Sequence, residues 1–447
     1  MSKEQNDGKL GLGAGVSILV GGMIGSAIFS LSGVTIYGAG PASILSWVIG
    51  AVVMLVFGLV CAELASRYPR SGGVYEFPAR ALSPAWGWLM CWGFINVTFC
   101  GVAFSAIYVG TYLSASFTNL SGTTWQVILA LVSILFCFLL NALKISTAGK
   151  VNNILVIALA IACAVYVIVA FTSGKWVGAN LTPFFTQGSA GTVGFLSMVP
   201  TAILGYGNIC ALAFMAQEVR DPNKTIPKAM FIGMGCTVLI YGLIILATLG
   251  LVTSQFLAQN PGMTYIPMFA ACFVSLTQTP WLAAVVSIAA VLALITTMLV
   301  SIAMTGQAMK SAAEDKILPA WFGKTAKNGE PVNAFAIISI ISAIISLFPQ
   351  YTMQIVNMGA FFSVIVNIVL LICIIPARKK APLPADGYKA PGGNALPIIV
   401  LAILIICNAT TFANGSLIIW VYTIAWYFVG YLIYKLSPGG KAGVAPK

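Results

Sequence analysis

Two glycine-rich stretches are where this chain could hold a small polar ligand without using an ionised side chain. The first reads Gly21-Gly22-Met23-Ile24-Gly25-Ser26-Ala27 and the second Gly205-Tyr206-Gly207-Asn208. Glycine lets a helix unwind at low cost. Unwinding bares backbone N–H and C=O groups, which inside a membrane must be met by protein, water or a ligand. Interruptions at matching places in two halves of a chain point to a transporter substrate site. The same glycines would also serve plain close packing between helices. Other chemistry is poorly supplied. Histidine is absent, which removes the commonest acid–base group and metal ligand. The ten cysteines, from Cys61 to Cys407, include no C-x-x-C pair, so they read as small packing residues rather than a zinc or disulfide framework. No metal site and no cofactor are expected, and the lack of a P-loop argues against direct ATP drive.

The elements that must position these stretches are transmembrane helices. Of the 447 residues, 60% are hydrophobic and only 7% charged, against roughly 25% charged in soluble proteins. Lipid is therefore the solvent. Apolar runs near the ~20 residues needed to cross a bilayer recur at Leu10–Leu31, Ala39–Ala65, Trp86–Ala115, Thr124–Leu140, Val151–Phe171 and Val193–Gln217. They continue at Met230–Leu251, Trp281–Ala308, Val332–Phe348, Met353–Ile375, Leu396–Phe412 and Leu417–Leu436. Twelve spans are expected, with Val332–Phe348 among the shortest. The first run is too long for a signal-peptide core, so no cleavable signal is expected.

Twelve spans sort the charges by side. All the basic residues except Lys175 fall on one face, from Lys3 and Lys9 through Arg67, Arg70 and Arg80 to Lys435, Lys441 and Lys447. Short loops rich in Lys and Arg stay in the cytoplasm, so both termini are expected there, in an inner membrane. The net charge of +12 thus reflects orientation, and no nucleic-acid partner is implied. The ten acidic residues gather at the same face. No carboxylate sits at mid-membrane depth, where one would act as a proton relay or cation partner. Arg67, Arg70 and Arg80 could gate the cytoplasmic mouth by pairing with Glu63, Glu76 or Glu218, or could serve only to fix orientation. The run Arg378-Lys379-Lys380 suits anionic lipid heads.

Four segments resemble one transporter family. They are Gly22–Phe29, the stretch from Cys61-Ala62-Glu63 to Gly72-Gly73-Val74-Tyr75, Glu218-Val219-Arg220-Asp221-Pro222 to Pro227, and Gly306 through Glu314-Asp315 and Leu318-Pro319 to Pro331-Val332-Asn333-Ala334. Together they resemble the amino acid–polyamine–organocation transporter superfamily. The resemblance implies an all-α transmembrane fold of twelve helices, with a five-plus-five inverted repeat and two accessory helices at the C-terminus. The implied parts are a tail over 1–9, repeats over 10–173 and 193–376, accessory helices over 396–436 and a tail over 437–447.

The same resemblance implies roles. Amides around Met23, Ile24, Gly25, Ser26 and Ala27 would hold a substrate carboxylate, and carbonyls of Leu204, Gly205, Tyr206 and Gly207 the amino group. Asn96, Thr98, Asn208 and Cys210 become candidate side-chain contacts, each with a bland alternative as a helix–helix hydrogen-bonding residue. Three departures stand out. Ala27 replaces a usual glycine, Leu204 stands where a large aromatic gate is common, and Leu159 replaces a lysine found after Val151-Asn152-Asn153-Ile154 in many proton-coupled members. Tyr206 is then the better gate candidate. Thr296, Thr297 and Ser301 could offer oxygens to an ion, although back-bonding to their own helix is their ordinary use. The expected function is alternating-access transport of amino acids or related small amines, as an exchanger, with a sodium- or proton-coupled symporter as the alternative. A membrane-embedded enzyme lacks its catalytic groups here, and a channel would want a ring of filter residues. The sequence leaves the oligomeric state open.

Overall fold

The computed structural model describes residues 9–25, 27–143, 145–277, 279–413 and 416–442. Among them no β-strand forms, and an isolated bridge pairs Leu10 with Val219. The principal helices are α1 (Leu12–Met23), α2 (Ser43–Arg67), α3 (Pro84–Ser116), α4 (Thr123–Asn141), α5 (Ile145–Thr172) and α6 (Gly191–Leu204, resuming as Gly207–Phe214). The rest are α7 (Pro222–Leu251), α8 (Pro280–Glu314), α9 (Val332–Ser346), α10 (Thr352–Lys380), α11 (Ala395–Ala413) and α12 (Leu417–Leu436). Eight helical stretches are long and apolar enough to cross a membrane, or nine if the two bent pieces of α6 form one span. Within that tally Leu12–Arg67 counts once, yet its 56 residues would extend about 84 Å as a straight helix. The hydrocarbon core is only about 30 Å thick. The run is in fact broken after Met23 and again at Gly40, whose φ of +59° ends the helix Ser32–Ala39.

The α9 helix is short, at 15 residues, in keeping with the brevity of its apolar run. The core is built around α3, which packs most extensively on α8, α10 and α4. Small residues on α3 permit this: a Cβ on Gly110 would meet the Gln126 backbone at 2.7 Å. At the other extreme, α12 exposes Leu417, Ile418, Val421, Ile424 and Phe428. A face this apolar has no place in water. It belongs against lipid, and the chain is a multi-pass membrane protein.

Candidate functional site

The first glycine-rich stretch does interrupt its helix. Past Met23 the chain leaves α geometry, and it resumes as a wide π-type turn over Ala27–Leu31 before Ser32–Ala39. Ser26 lies outside the described residues. The amide of Ile24 still donates to the Val20 carbonyl at 2.7 Å, and that of Gly25 turns back to the Met23 carbonyl at 2.8 Å. These two amides, expected to face a ligand, are therefore spent locally. The break leans on α8. Thr296 Oγ1 donates to the Gly21 carbonyl at 2.9 Å, while Thr297 Oγ1 lies 3.3 Å from the Gly22 carbonyl. A Cβ on Gly25 would fall 1.8 Å from Thr297 Oγ1, and one on Gly21 2.5 Å from Val156 of α5. Close packing is what these two glycines visibly serve. Thr296 also back-bonds to the Ala293 carbonyl at 2.9 Å.

The second stretch bends α6 by 43°. Gly205 admits Trp47 of α2, since a Cβ there would come 2.4 Å from its ring, whereas a Cβ on Gly207 would meet nothing within 4 Å. Two side chains tie this break to the first. Asn208 Nδ2 donates to the Gly22 carbonyl at 2.9 Å and lies 3.5 Å from Ser301 Oγ. Tyr241, from α7, has its hydroxyl within reach of both the Met23 carbonyl and, at 3.0 Å, the Gly205 carbonyl. Tyr241 was not legible in the sequence, because an interior tyrosine of an apolar helix carries no local signal. The carbonyls of Gly205 and Tyr206 already accept from Tyr241 and the Ile209 amide, though each oxygen keeps a second lone pair.

Between the breaks lies a cavity of about 170 Å³. Met23, Gly25, Ala27, Leu204 and Gly207 line it, as do the side chains of Thr98, Asn208, Cys210, Thr297 and Ser301. The rest of its wall is largely apolar, with Met54, Phe57, Phe94 and Phe104 prominent. Among the described residues no acidic or basic side chain lines it. Ser105, Ser363 and Asn367, which the sequence reading did not single out, add polar points on α3 and α10. Ser105 is buried, and among the described residues its hydroxyl has no partner.

Several expected residues lie off the wall. Ile24, Gly205 and Thr296 are buried behind it. Tyr206, the gate candidate, also lies off the wall: it is fully buried, donates to the Trp47 carbonyl at 3.1 Å, and packs against Trp47 and Tyr241 with ring centres 5.9 and 5.3 Å apart. Its ring turned inward because Gly205 beside it opens a slot for Trp47. Asn96 faces α12, where its amide donates to the Tyr422 hydroxyl at 2.7 Å. Asn96 does not line the cavity, although Thr98, two residues on, does. Thr98 itself pairs with Thr305 at 2.5 Å. Leu159 is buried in the apolar core.

The two ends of the cavity differ. Toward Phe214 the helix ends are latched by charge. Arg70 lies 3.0 Å from Glu76, 2.5 Å from Glu314 and 3.5 Å from Asp315, and Tyr75 donates to Asp315 at 2.8 Å. Glu63 accepts from Arg67 at 2.8 Å, Arg378 at 2.6 Å and the Ala390 amide at 3.0 Å. Arg80 pairs with Glu76 at 2.7 Å. Burial lifts the Glu76 carboxyl above its ordinary range, although Arg80 and Arg70 oppose the rise. On the opposite side of the α6 break, a second cavity of about 340 Å³ shares Leu31, Leu204, Val356 and Ala360 with the first and reaches Ser197 and Thr201.

Comparison with known proteins adds a family. The profile described as amino acid permease matches residues 10–436. An uncharacterised transporter of Mycobacterium tuberculosis (strain ATCC 25618 / H37Rv) is 30% identical, over 70% of this chain and 67% of its own. The branched-chain amino acid permease BcaP of Bacillus subtilis (strain 168) is 26% identical, over 93% of this chain and 90% of its own. A chloroplastic cationic amino acid transporter 7 of Arabidopsis thaliana is 26% identical, over 83% of this chain and 67% of its own.

Proposed function

The chain belongs to the amino acid permease family, and from that premise we propose that it carries a neutral, mainly apolar amino acid by alternating access. The observation that carries the reading is the cavity itself: about 170 Å³, walled mostly by apolar side chains, and bordered by no ionised group among the described residues. A pocket of roughly 150 Å³ holds a benzene-sized guest, so the side chain of leucine or valine is of the right size. A buried net charge without a counter-charge is costly, which disfavours arginine and putrescine. Among the named relatives, the reading sides with the branched-chain permease rather than the cationic transporter.

The zwitterion's own charges would be met by backbone. The opening amides of the segment that begins at Ala27 have no carbonyl one turn back in their own helix, and the positive end of a helix favours a carboxylate. The amino group would take carbonyls of the Leu204–Gly207 stretch. Twelve spans in two five-helix repeats, over 10–173 and 193–376, account for two broken helices that open each half. Two accessory helices over 396–436, tails over 1–9 and 437–447, and cytoplasmic termini in an inner membrane complete the topology. The latched end is then cytoplasmic, and the conformation faces outward through the second cavity.

Exchange is the favoured mode, because Leu159 offers no proton site. Sodium coupling has one supporting observation: the hydroxyls of Thr296 and Thr297 converge on the Gly21 and Gly22 carbonyls. A thermal-shift screen of the purified protein tests the substrate class. Leucine or valine at a hundredfold excess over its dissociation constant should stabilise by about 2.7 kcal/mol. Stabilisation by arginine or putrescine without any by neutral amino acids would contradict it.

A further inference from the structure

Asn152, on α5, is 4% exposed, and among the described residues neither its amide nitrogen nor its oxygen has a hydrogen-bond partner. A buried polar group left unpaired costs roughly 1–3 kcal/mol, and Asn152 carries both a donor and an acceptor in that state. The side chain borders a separate small cavity of about 50 Å³ at the junction of α1, α5 and α8. Ile18, Met215, Leu299 and Ala303 form its apolar wall, and Asn141 its other polar point. Asn141 is already engaged, donating to the carbonyls of Cys137 at 3.0 Å and Leu299 at 3.2 Å. The cavity has room for at least one water, which needs about 10–15 Å³.

We propose that this junction is a water-binding site with Asn152 as its principal ligand. The chemistry of the group selects the occupant. A cation would satisfy the carbonyl oxygen but repel the NH₂ group beside it. An anion would do the reverse, and an apolar guest would satisfy neither. Water donates and accepts, so one or two molecules meet both needs. The position gives the water a use. Ile18 precedes the α1 break, while Leu299 and Ala303 follow Thr297 on α8 toward the Arg70 latch. The wet junction thus lies between the central cavity and the latched end, where the zwitterion must find polar company on its way in. That second step rests on the transport reading; the water site does not.

Met215 is the internal reporter. X-ray hydroxyl-radical footprinting of the full protein in nanodiscs oxidises side chains beside bound water, whatever their exposure. Met215 and Met268 are 2% and 0% exposed. Met215 should be oxidised several-fold faster than Met268, and Asn152→Leu should bring it down to the Met268 rate. If that variant fails to fold, Ala303→Leu, which fills the chamber and leaves Asn152 in place, should do the same. Equal rates at Met215 and Met268 in the wild type would overturn the water site. For the inward step, Asn152→Leu should slow counterflow several-fold while keeping the ligand-induced thermal shift. Wild-type counterflow in a variant that has lost Met215 labelling would overturn that role and leave the central site untouched.

Discussion

Gly207 is the residue on which the site reading is most exposed. A Cβ there meets open space, as it does at Gly242 on α7, so both positions accept a larger side chain without a built-in clash. Only the one at Gly207 enters the cavity. Gly207→Trp should abolish counterflow and the leucine-induced thermal shift, while Gly242→Trp keeps both within about twofold; wild-type binding in Gly207→Trp would remove the α6 break from the site. Glu76 makes a second prediction, through pH. Its folded value is raised above the ordinary one, so its contribution to stability is full below the unfolded value, about 4.3. That contribution is lost as pH rises through the folded value. Lowering the pH from neutrality toward the unfolded value should therefore stabilise the wild type relative to Glu76→Gln, read as a growing difference in melting temperature. The opposite trend would mean that Arg70, Arg80 and Asp315 act on Glu76 with the other balance. Gly207, Asn208 and Thr297, which the sequence singled out, line the cavity. Tyr206 and Tyr241 show what the sequence could not carry. Which way an aromatic ring turns depends on what other helices pack around it, here Trp47 of α2.

Helix α12 illustrates the same limit one level up. Its composition reads only as a lipid-facing span, yet it is stitched to α3 along a ladder with a four-residue step. Trp88 donates to the Gly430 carbonyl at 2.7 Å, Trp92 and Trp426 exchange indole N–H bonds at 2.8 and 3.0 Å, and Asn96 reaches Tyr422 at 2.7 Å. The Trp92 and Trp426 rings stack 4.6 Å apart. Gly430 makes room for this, since a Cβ there would come 2.4 Å from the Trp92 ring. The ladder took Asn96 away from the substrate and made it a brace. Trp426 is half-buried, so truncating it should cost less than the about 3–5 kcal/mol of a core tryptophan, and Trp426→Ala should still lower the melting temperature. It should leave the leucine-induced shift intact, because Trp426 does not touch the cavity. Loss of that shift in a folded Trp426→Ala protein would tie α12 to binding. The helices themselves were legible from apolar runs alone, since in lipid length and hydropathy decide what spans. The twist of α6 and the π-type turn after Ser26 were not, because breaks are shaped by what packs against them.

For the molecule as a whole, the account is of two broken helices meeting over an uncharged cavity, with one end latched by Arg70, Glu63 and their partners and the other open to a second cavity. On the proposed reading, such an arrangement would carry a neutral zwitterion by exchange, without a coupled ion. That most of the charged residues lie between or at the ends of the apolar runs was readable from the sequence. Which end is shut was not, since Arg70 reaches Glu314 across 244 positions of chain. The most direct test is uptake of radiolabelled leucine into proteoliposomes. Vesicles preloaded with unlabelled leucine should take up label rapidly and saturably, and empty vesicles should take up little, even under an imposed pH or sodium gradient. Concentrative uptake into empty vesicles driven by either ion would contradict the exchange account, and no leucine uptake under any of these conditions would contradict the substrate assignment with it.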